Sequence, residues 1–196
     1  KPSAEQNENY QTQNNIFFAI TDNGTDIVRF RLNFRVKPPR FERLSSIRLE
    51  SREGYHDKVL IHPNDPKYLP THDDLKDIEA ISRTSKGSFY LLKEGDQGGR
   101  PLIMHYSAEG KYLGYVEPAP LYSTESFGLT PSEKRAWQGS QSGVRVQGKA
   151  YTDLHRFRSC PNKGFCPDKT VVFPAMHELS ELTTLDEDRI LALERT

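Results

Sequence analysis

Between Asp26 and Lys37 apolar and polar side chains alternate. Val28, Phe30, Leu32, Phe34 and Val36 interleave with Arg29, Arg31, Asn33, Arg35 and Lys37. A period of two over ten residues predicts a β-strand with one buried face. Pro38-Pro39 stops it, and Leu44 to Glu50 reads as its partner. An apolar run, Ile16 to Asp22, opens the strand-like part of the chain. Leu102 to Tyr106 and Lys111 to Val116 flank Ser-Ala-Glu-Gly, which predicts a hairpin with Gly110 at positive φ. Val144 to Phe157 offers two more strands. Helical periodicity is weak everywhere, and only Asp186 to Leu193 can be read as a turn of helix. The first 15 residues are polar and Asn/Gln-rich and read as a tail. Residues 54–74 carry several Pro turn signals and read as a long loop. The chain is expected to be all-β.

Within this pattern one unit recurs. An aliphatic residue and Ser or Thr, then a small loop, then an apolar strand ending in an acid or its amide, occurs at Ile81 to Glu94, Leu129 to Gln141 and Leu182 to Glu194. Ile16 to Asp22 resembles the strand of that unit. Recurrence of a strand unit predicts a repeat architecture, and a blade length of about 40–50 residues favours a β-propeller of roughly four blades in residues 16–196. The chain ends directly after a strand, so the part that would close the ring is expected to be missing. In a radial arrangement the strand-end carboxylates converge toward one axis.

Composition narrows the classes of partner. Lys plus Arg and Asp plus Glu both number 27, so there is no basic footprint for nucleic acid. No apolar run approaches the roughly 20 residues of a membrane span. At 196 residues, with 35% hydrophobic residues, 13 Pro and 13 Gly, one turn-rich domain is the expectation. Lys1 is not an initiator Met, which suggests a processed form or a fragment. The two cysteines stand close, in Cys160-Pro-Asn-Lys-Gly-Phe-Cys166. A disulfide across that turn is the first reading, and it favours a secreted, periplasmic or organelle-lumenal location; two free thiols in a loop are the alternative. Neither His155 nor His177 has the spacing of a zinc site. Asn23-Gly24-Thr25 is a formal glycosylation sequon.

The order of several segments resembles the phytase-like family known as "esterase-like activity of phytase". Its opening strand and Arg-rich second strand are matched by Phe17 to Gly24 and Arg29-Phe-Arg-Leu. Its D-x-E-x-I segment is matched by Asp77-Ile-Glu79-Ala-Ile81, and the strand that follows by Lys86 to Gly95. Ile103 to Leu113 matches its hairpin, and Leu179 to Arg195 matches its segment ending in LER. The resemblance implies a propeller and hydrolysis of phosphate or carboxylic esters. The middle unit departs from the family pattern, with Phe127 where a Glu is expected and Gln141 at a second Glu position.

Convergent carboxylates suit two kinds of chemistry: binding a hard cation such as Ca²⁺ through oxygen, or general acid/base catalysis. Asp22, Glu79, Glu94 and Glu194 are the candidate metal ligands, Glu79, Glu94 and Glu194 the candidate catalytic groups, and Glu181 a further acid of the same kind. The competing reading gives each acid a structural task, accepting backbone N–H bonds from the next blade or pairing with Arg195. Gly139-Ser-Gln-Ser-Gly143 is no nucleophile elbow, because Gln141 occupies the central position. His105 reads as a packed or paired histidine, and Phe127 and Trp137 as fillers between blades. Two functions stay open: a hydrolase acting on a small-molecule ester, and a non-catalytic propeller that binds a protein partner.

Overall fold

The computed structural model describes residues 16–20, 25–53, 65, 67–94, 101–116, 124–140, 144–147, 149–161, 164–174 and 178–195. Asp22, Asn23 and Gly24 of the sequon, Gln141, His177 and the N-terminal 15 residues lie outside them. Among the described residues there are fourteen strands and no helix.

All pairings between these strands are antiparallel, and they form four successive sheets. Sheet 1 holds β1 (Ile16–Ile20), β2 (Asp26–Asn33) and β3 (Arg40–Arg48) in that order. Sheet 2 holds β4 (Ile78–Arg83), β5 (Phe89–Lys93), β6 (Leu102–Tyr106) and β7 (Tyr112–Val116), again in chain order. In sheet 3, β8 (Thr124–Leu129) pairs with β9 (Arg135–Ser140), β9 with β11 (Lys149–Cys160), and β11 with β12 (Gly164–Pro174). The short β10 (Val144–Val146) also pairs with β11. Sheet 4 is the pair β13 (Glu178–Thr184) and β14 (Ile190–Arg195). Sheet 2 is thus a four-stranded meander, the unit of a propeller blade, and the five-stranded sheet 3 contains the same meander with β10 added. Sheet 4 supplies the first two strands of such a unit, and sheet 1 the last three. The first strands β4, β8 and β13 pack side by side. The protein is an arc of β-propeller.

The apolar cores lie between sheets. Sheet 2 shows why most clearly: in β5, Phe89 and Leu91 join a cluster with Ile27 and Leu49 of the sheet 1 side, whereas Tyr90 and Leu92 join Phe127, Ala136, Phe157 and Phe165 of sheet 3. Successive side chains of a strand point to opposite faces. A strand buried on both faces must therefore be apolar at every position, as Phe-Tyr-Leu-Leu is. Each of these side chains contributes about 1.5–3 kcal/mol by leaving water. Trp137 and Leu154 meet Leu179 and Leu182 between sheets 3 and 4. Phe127 and Trp137 are therefore inter-blade fillers, as their sequence context suggested.

Among the described residues, the two outermost faces of the arc carry exposed apolar side chains. On sheet 1, Phe17, Phe30 and Phe41 stack in a row, with ring centroids 5.7 and 4.7 Å apart, and Phe17 and Phe41 are exposed. On sheet 4, Leu191 and Leu193 are exposed on one face of β14, while Ile190 and Ala192 pack toward sheet 3.

Three details differ from the sequence reading. β2 ends at Asn33, short of Lys37, because the Asn33 carboxamide accepts the Arg35 N–H at 3.0 Å and turns the chain. Residues 186–189 form a turn, in which the Asp186 carboxylate accepts the N–H groups of Asp188 and Arg189, and the chain enters β14 without a helical turn. The long β12 gave no strand signal in the sequence reading. The 102–116 hairpin forms as expected, with Gly110 at φ +84°.

Candidate functional site

Each sheet has two ends, and the acids divide between them by role. At one end lie the start of the first strand and the end of the second. Ile78 pairs with Lys93 there, and the Glu94 N–H donates to the Asp77 carbonyl at 2.9 Å. Glu79 and Glu94 therefore share one end of sheet 2. Glu79 is exposed and Glu94 half-buried, and both interact with neighbours. Asp77 takes φ +55°, a left-handed conformation uncommon for a residue with a side chain, and redirects the chain into β4. The preceding turn is pinned by Asp74. Its buried carboxylate accepts the Thr71 N–H at 2.8 Å, the Thr71 hydroxyl at 2.9 Å and the Tyr68 hydroxyl at 3.1 Å. Burial, then Asp74, pushes the Tyr68 hydroxyl pKa up.

Glu79 is the extra residue of a β-bulge, since Ile78 pairs with Lys93 and Ala80 with Leu92. The same bulge recurs in β8 between Thr124 and Ser126, and in β13 between Leu179 and Glu181. The residues equivalent to Glu79 are therefore Glu125 and Ser180. This corrects the reading of the middle unit: Phe127 matches Ile81, and the acid stands two positions earlier, at Glu125. The signal was present as Ser123-Thr-Glu125-Ser-Phe127, which parallels Asp77-Ile-Glu79-Ala-Ile81. The strand-end acids also need a correction. Glu194 pairs with Leu179 as Lys93 pairs with Ile78, so Arg195, not Glu194, is the counterpart of Glu94. Counting from the aliphatic position gives 13 residues to Glu94 but only 12 to Glu194, and the ladder shows that this one-residue difference is a real offset. Glu181 is exposed and faces Leu193 across the ladder.

Among the described residues no group of three or more His, Cys, Asp or Glu is placed to hold a metal ion. Ca²⁺ takes six to eight oxygens, and the two carboxylates of Glu79 and Glu94 offer at most four. The described donor set does not by itself fit that ion.

The opposite end of the sheets carries the structural task that the sequence reading offered for the candidate acids. There Glu133, in the β8–β9 turn, takes the Ser85 N–H of the β4–β5 turn in sheet 2. Glu187, in the β13–β14 turn, takes the Thr130 hydroxyl at 3.0 Å and the Ser132 N–H at 3.2 Å of sheet 3. Hydrogen bonding from Ser132, then Thr130, lowers the Glu187 pKa against the opposing effect of burial. Glutamates thus tie sheet 3 to sheet 2 and sheet 4 to sheet 3, and both belong to a Thr-x-x-Glu sequence, Thr130 to Glu133 and Thr184 to Glu187. Sequence reading missed both, because it looked for acids at strand ends and these sit in turns. Between sheets 1 and 2 the tie is made elsewhere, by Glu50, whose carboxylate accepts the Tyr112 N–H at 2.9 Å.

His105 is packed and paired as expected: its ring stacks on Tyr90 at 4.3 Å and its Nε2 lies 3.0 Å from the Ser88 hydroxyl. Cys160 and Cys166 are joined in a disulfide across the β11–β12 turn, with Cα atoms 5.8 Å apart. That bond is compatible with an extracellular or lumenal location. No helix of the described residues is long and apolar enough to cross a membrane.

A family model described as "Phytase-like: Esterase-like activity of phytase" matches residues 9–196. No curated protein matches the chain. Among solved structures, the chain is similar to the WD40 domain of Neurospora crassa Pan2, with 10% identity and a TM-score of 0.49 over 93% of this chain. It spans 41% of the length of that structure.

Proposed function

The chain belongs to the phytase-like, esterase-like activity of phytase family, and from that premise we propose that it contributes the acidic end of an ester-hydrolysing propeller. The observation that carries this reading is the placement of Glu79 and Glu94 at one end of sheet 2, away from the turn glutamates that tie the sheets. Glu194, one residue before the position equivalent to Glu94, and Asp22, outside the described residues, are the further acids of this reading. In this reading one carboxylate takes a proton from the attacking water while another returns one to the leaving oxygen of a small-molecule phosphate or carboxylic ester. Calcium enters the proposal only if Asp22 and Glu194 add their oxygens to those of Glu79 and Glu94. The disulfide supports a secreted, periplasmic or organelle-lumenal setting in this reading.

The test is hydrolysis of p-nitrophenyl acetate and p-nitrophenyl phosphate by the purified chain, with Ca²⁺ and with chelator. Glu79→Gln and Glu94→Gln should each lower kcat/KM at least about 100-fold with an unchanged melting temperature. Hydrolysis that is absent, or that both variants retain, would sink the proposal. A second reading, a non-catalytic propeller that binds a protein partner, is favoured by the apolar Phe17/Phe30/Phe41 and Leu191/Leu193 faces. Loss of association after Phe41→Ser, in a chain that hydrolyses neither ester, would support it.

A further inference from the structure

At two junctions a turn glutamate crosses to the preceding sheet, and at the third that residue is missing. Gly87 occupies the turn position of Glu133: each lies third after a Thr (Thr84, Thr130), each donates its N–H to that Thr carbonyl, at 3.0 and 2.8 Å, and each has positive φ. With glycine there, no carboxylate reaches toward sheet 1 from this turn. In its place lies an open cleft of about 450 Å³ between sheets 1 and 2, bordered by Gly87. That volume falls within the range of small-molecule sites.

The cleft has an apolar floor and a cationic rim. Phe18 and Phe89, whose rings lie 5.2 Å apart, form the floor with Ile47. Arg29, Arg83 and Ser45 supply the polar part. Phe18, Arg29 and Ser45 are cross-strand partners in one row of sheet 1, so the ladder itself sets them side by side. The Arg83 guanidinium lies over the Phe18 ring, 4.8 Å from its centroid. Neither Arg29 nor Arg83 has a carboxylate partner among the described residues, although other arginines of the same sheets do, Arg31 with Glu42 and Arg48 with Asp26. The acids of nearby turns are engaged: Glu109 accepts from the Ser107 hydroxyl and Glu133 from the Ser85 N–H.

We propose that this inter-sheet cleft binds a small organic anion, a phosphate, phosphonate or carboxylate group on an aromatic or branched apolar body, which supplies the negative charge that Gly87 does not. The anionic group bridges Arg29 and Arg83, whose planar guanidinium groups suit two-oxygen acceptors. The apolar body rests on Phe18, Phe89 and Ile47. The site is separate from the acidic end: Glu79 and Arg83 are four residues apart on β4, about 13 Å along a strand.

Phenylphosphonate is the probe, because it has no ester bond to cleave, and the Glu79→Gln variant separates binding in the cleft from binding at the acidic end. Isothermal titration of the full chain should show one site, weakened about tenfold or more by Arg29→Gln and by Arg83→Gln, and unchanged in Lys111→Gln and Glu79→Gln. Methylphosphonate should bind at least tenfold more weakly than phenylphosphonate. Equal affinity for the two would reduce the site to a simple anion contact and overturn the proposal, as would an absence of binding or a loss of binding in Glu79→Gln. If an arginine variant does not fold, methyl NMR of the unaltered protein decides. Shifts at Ile16 and Ile47 support the cleft, and shifts elsewhere without them refute it.

Discussion

A β-carbon on Gly110 would overlap the carbonyl oxygen of Arg48, so the β6–β7 turn of sheet 2 seats against the end of β3 only because residue 110 has no side chain. The contact is reinforced by the Glu50 N–H, which donates to the Gly110 carbonyl at 2.7 Å, and by the Tyr106 hydroxyl, which donates to the Glu50 carbonyl at 3.3 Å. Gly110→Ala adds both a collision and the strain of φ +84°. It should cost more than about 2 kcal/mol in urea unfolding, whereas Gly114→Ala, at φ +139° with open space around it, should cost only the backbone part, about 1–2 kcal/mol. Equal losses in the two variants would show that the seat against Arg48 is slack.

The junction of sheets 3 and 4 depends on Gly139 in the same manner. A β-carbon there would overlap Leu179 and the Ser126 hydroxyl. Gly139→Ala should destabilise by about 1–3 kcal/mol through overpacking, and adding Leu179→Ala should recover part of that loss. Strictly additive losses would place the two residues in separate environments.

Stability should fall on acidification through His105. Burial lowers its pKa in the fold, so the unfolded chain binds more protons below about pH 6.5. The stabilisation is present above that pH and declines as pH drops toward the folded value. His155 acts with the same sign, burial lowering its pKa and Asp153 opposing. His105→Gln should flatten the profile of unfolding free energy between pH 7 and 5. A slope that the substitution leaves untouched would assign the effect to other groups.

The Cys160–Cys166 bond closes a short loop, with a sequence separation of 6. Chain-entropy arguments give a loop of this size about 2 kcal/mol. The double substitution to Ser should lower stability by that amount while β11 and β12 remain paired, because their ladder runs back to Tyr151 and Pro174. Loss of the whole β11–β12 hairpin in hydrogen exchange would give the disulfide a larger role.

Much of this architecture is legible in the sequence, because a strand buried on both faces, such as Phe89 to Leu92, advertises itself as an unbroken apolar run between turn residues. The hairpin around Gly110 is equally plain. What the sequence hides is register. Ile81 pairs with Leu91 and Leu182 with Ala192, so the residue equivalent to Glu94 is Arg195, and a count that stops at Glu194 falls one position short. β12 is hidden differently: Pro167, Asp168 and Lys169 are poor strand formers on an exposed surface, held in place by pairing with β11. The inter-blade glutamates are legible only after the turns are superposed.

That every core lies between two sheets sets a schedule for folding during synthesis. β4 begins at residue 78 and β8 at residue 124, an offset of 124 − 78 = 46 residues. At about 5–20 residues per second the ribosome delivers that length in roughly 2 to 9 s. A hairpin of sheet 2 closes in microseconds, yet Tyr90, Leu92, Ile103 and Val116 have nothing to cover them until sheet 3 emerges. Each newly made blade thus holds an uncovered apolar face for seconds, sheltered only when its successor arrives.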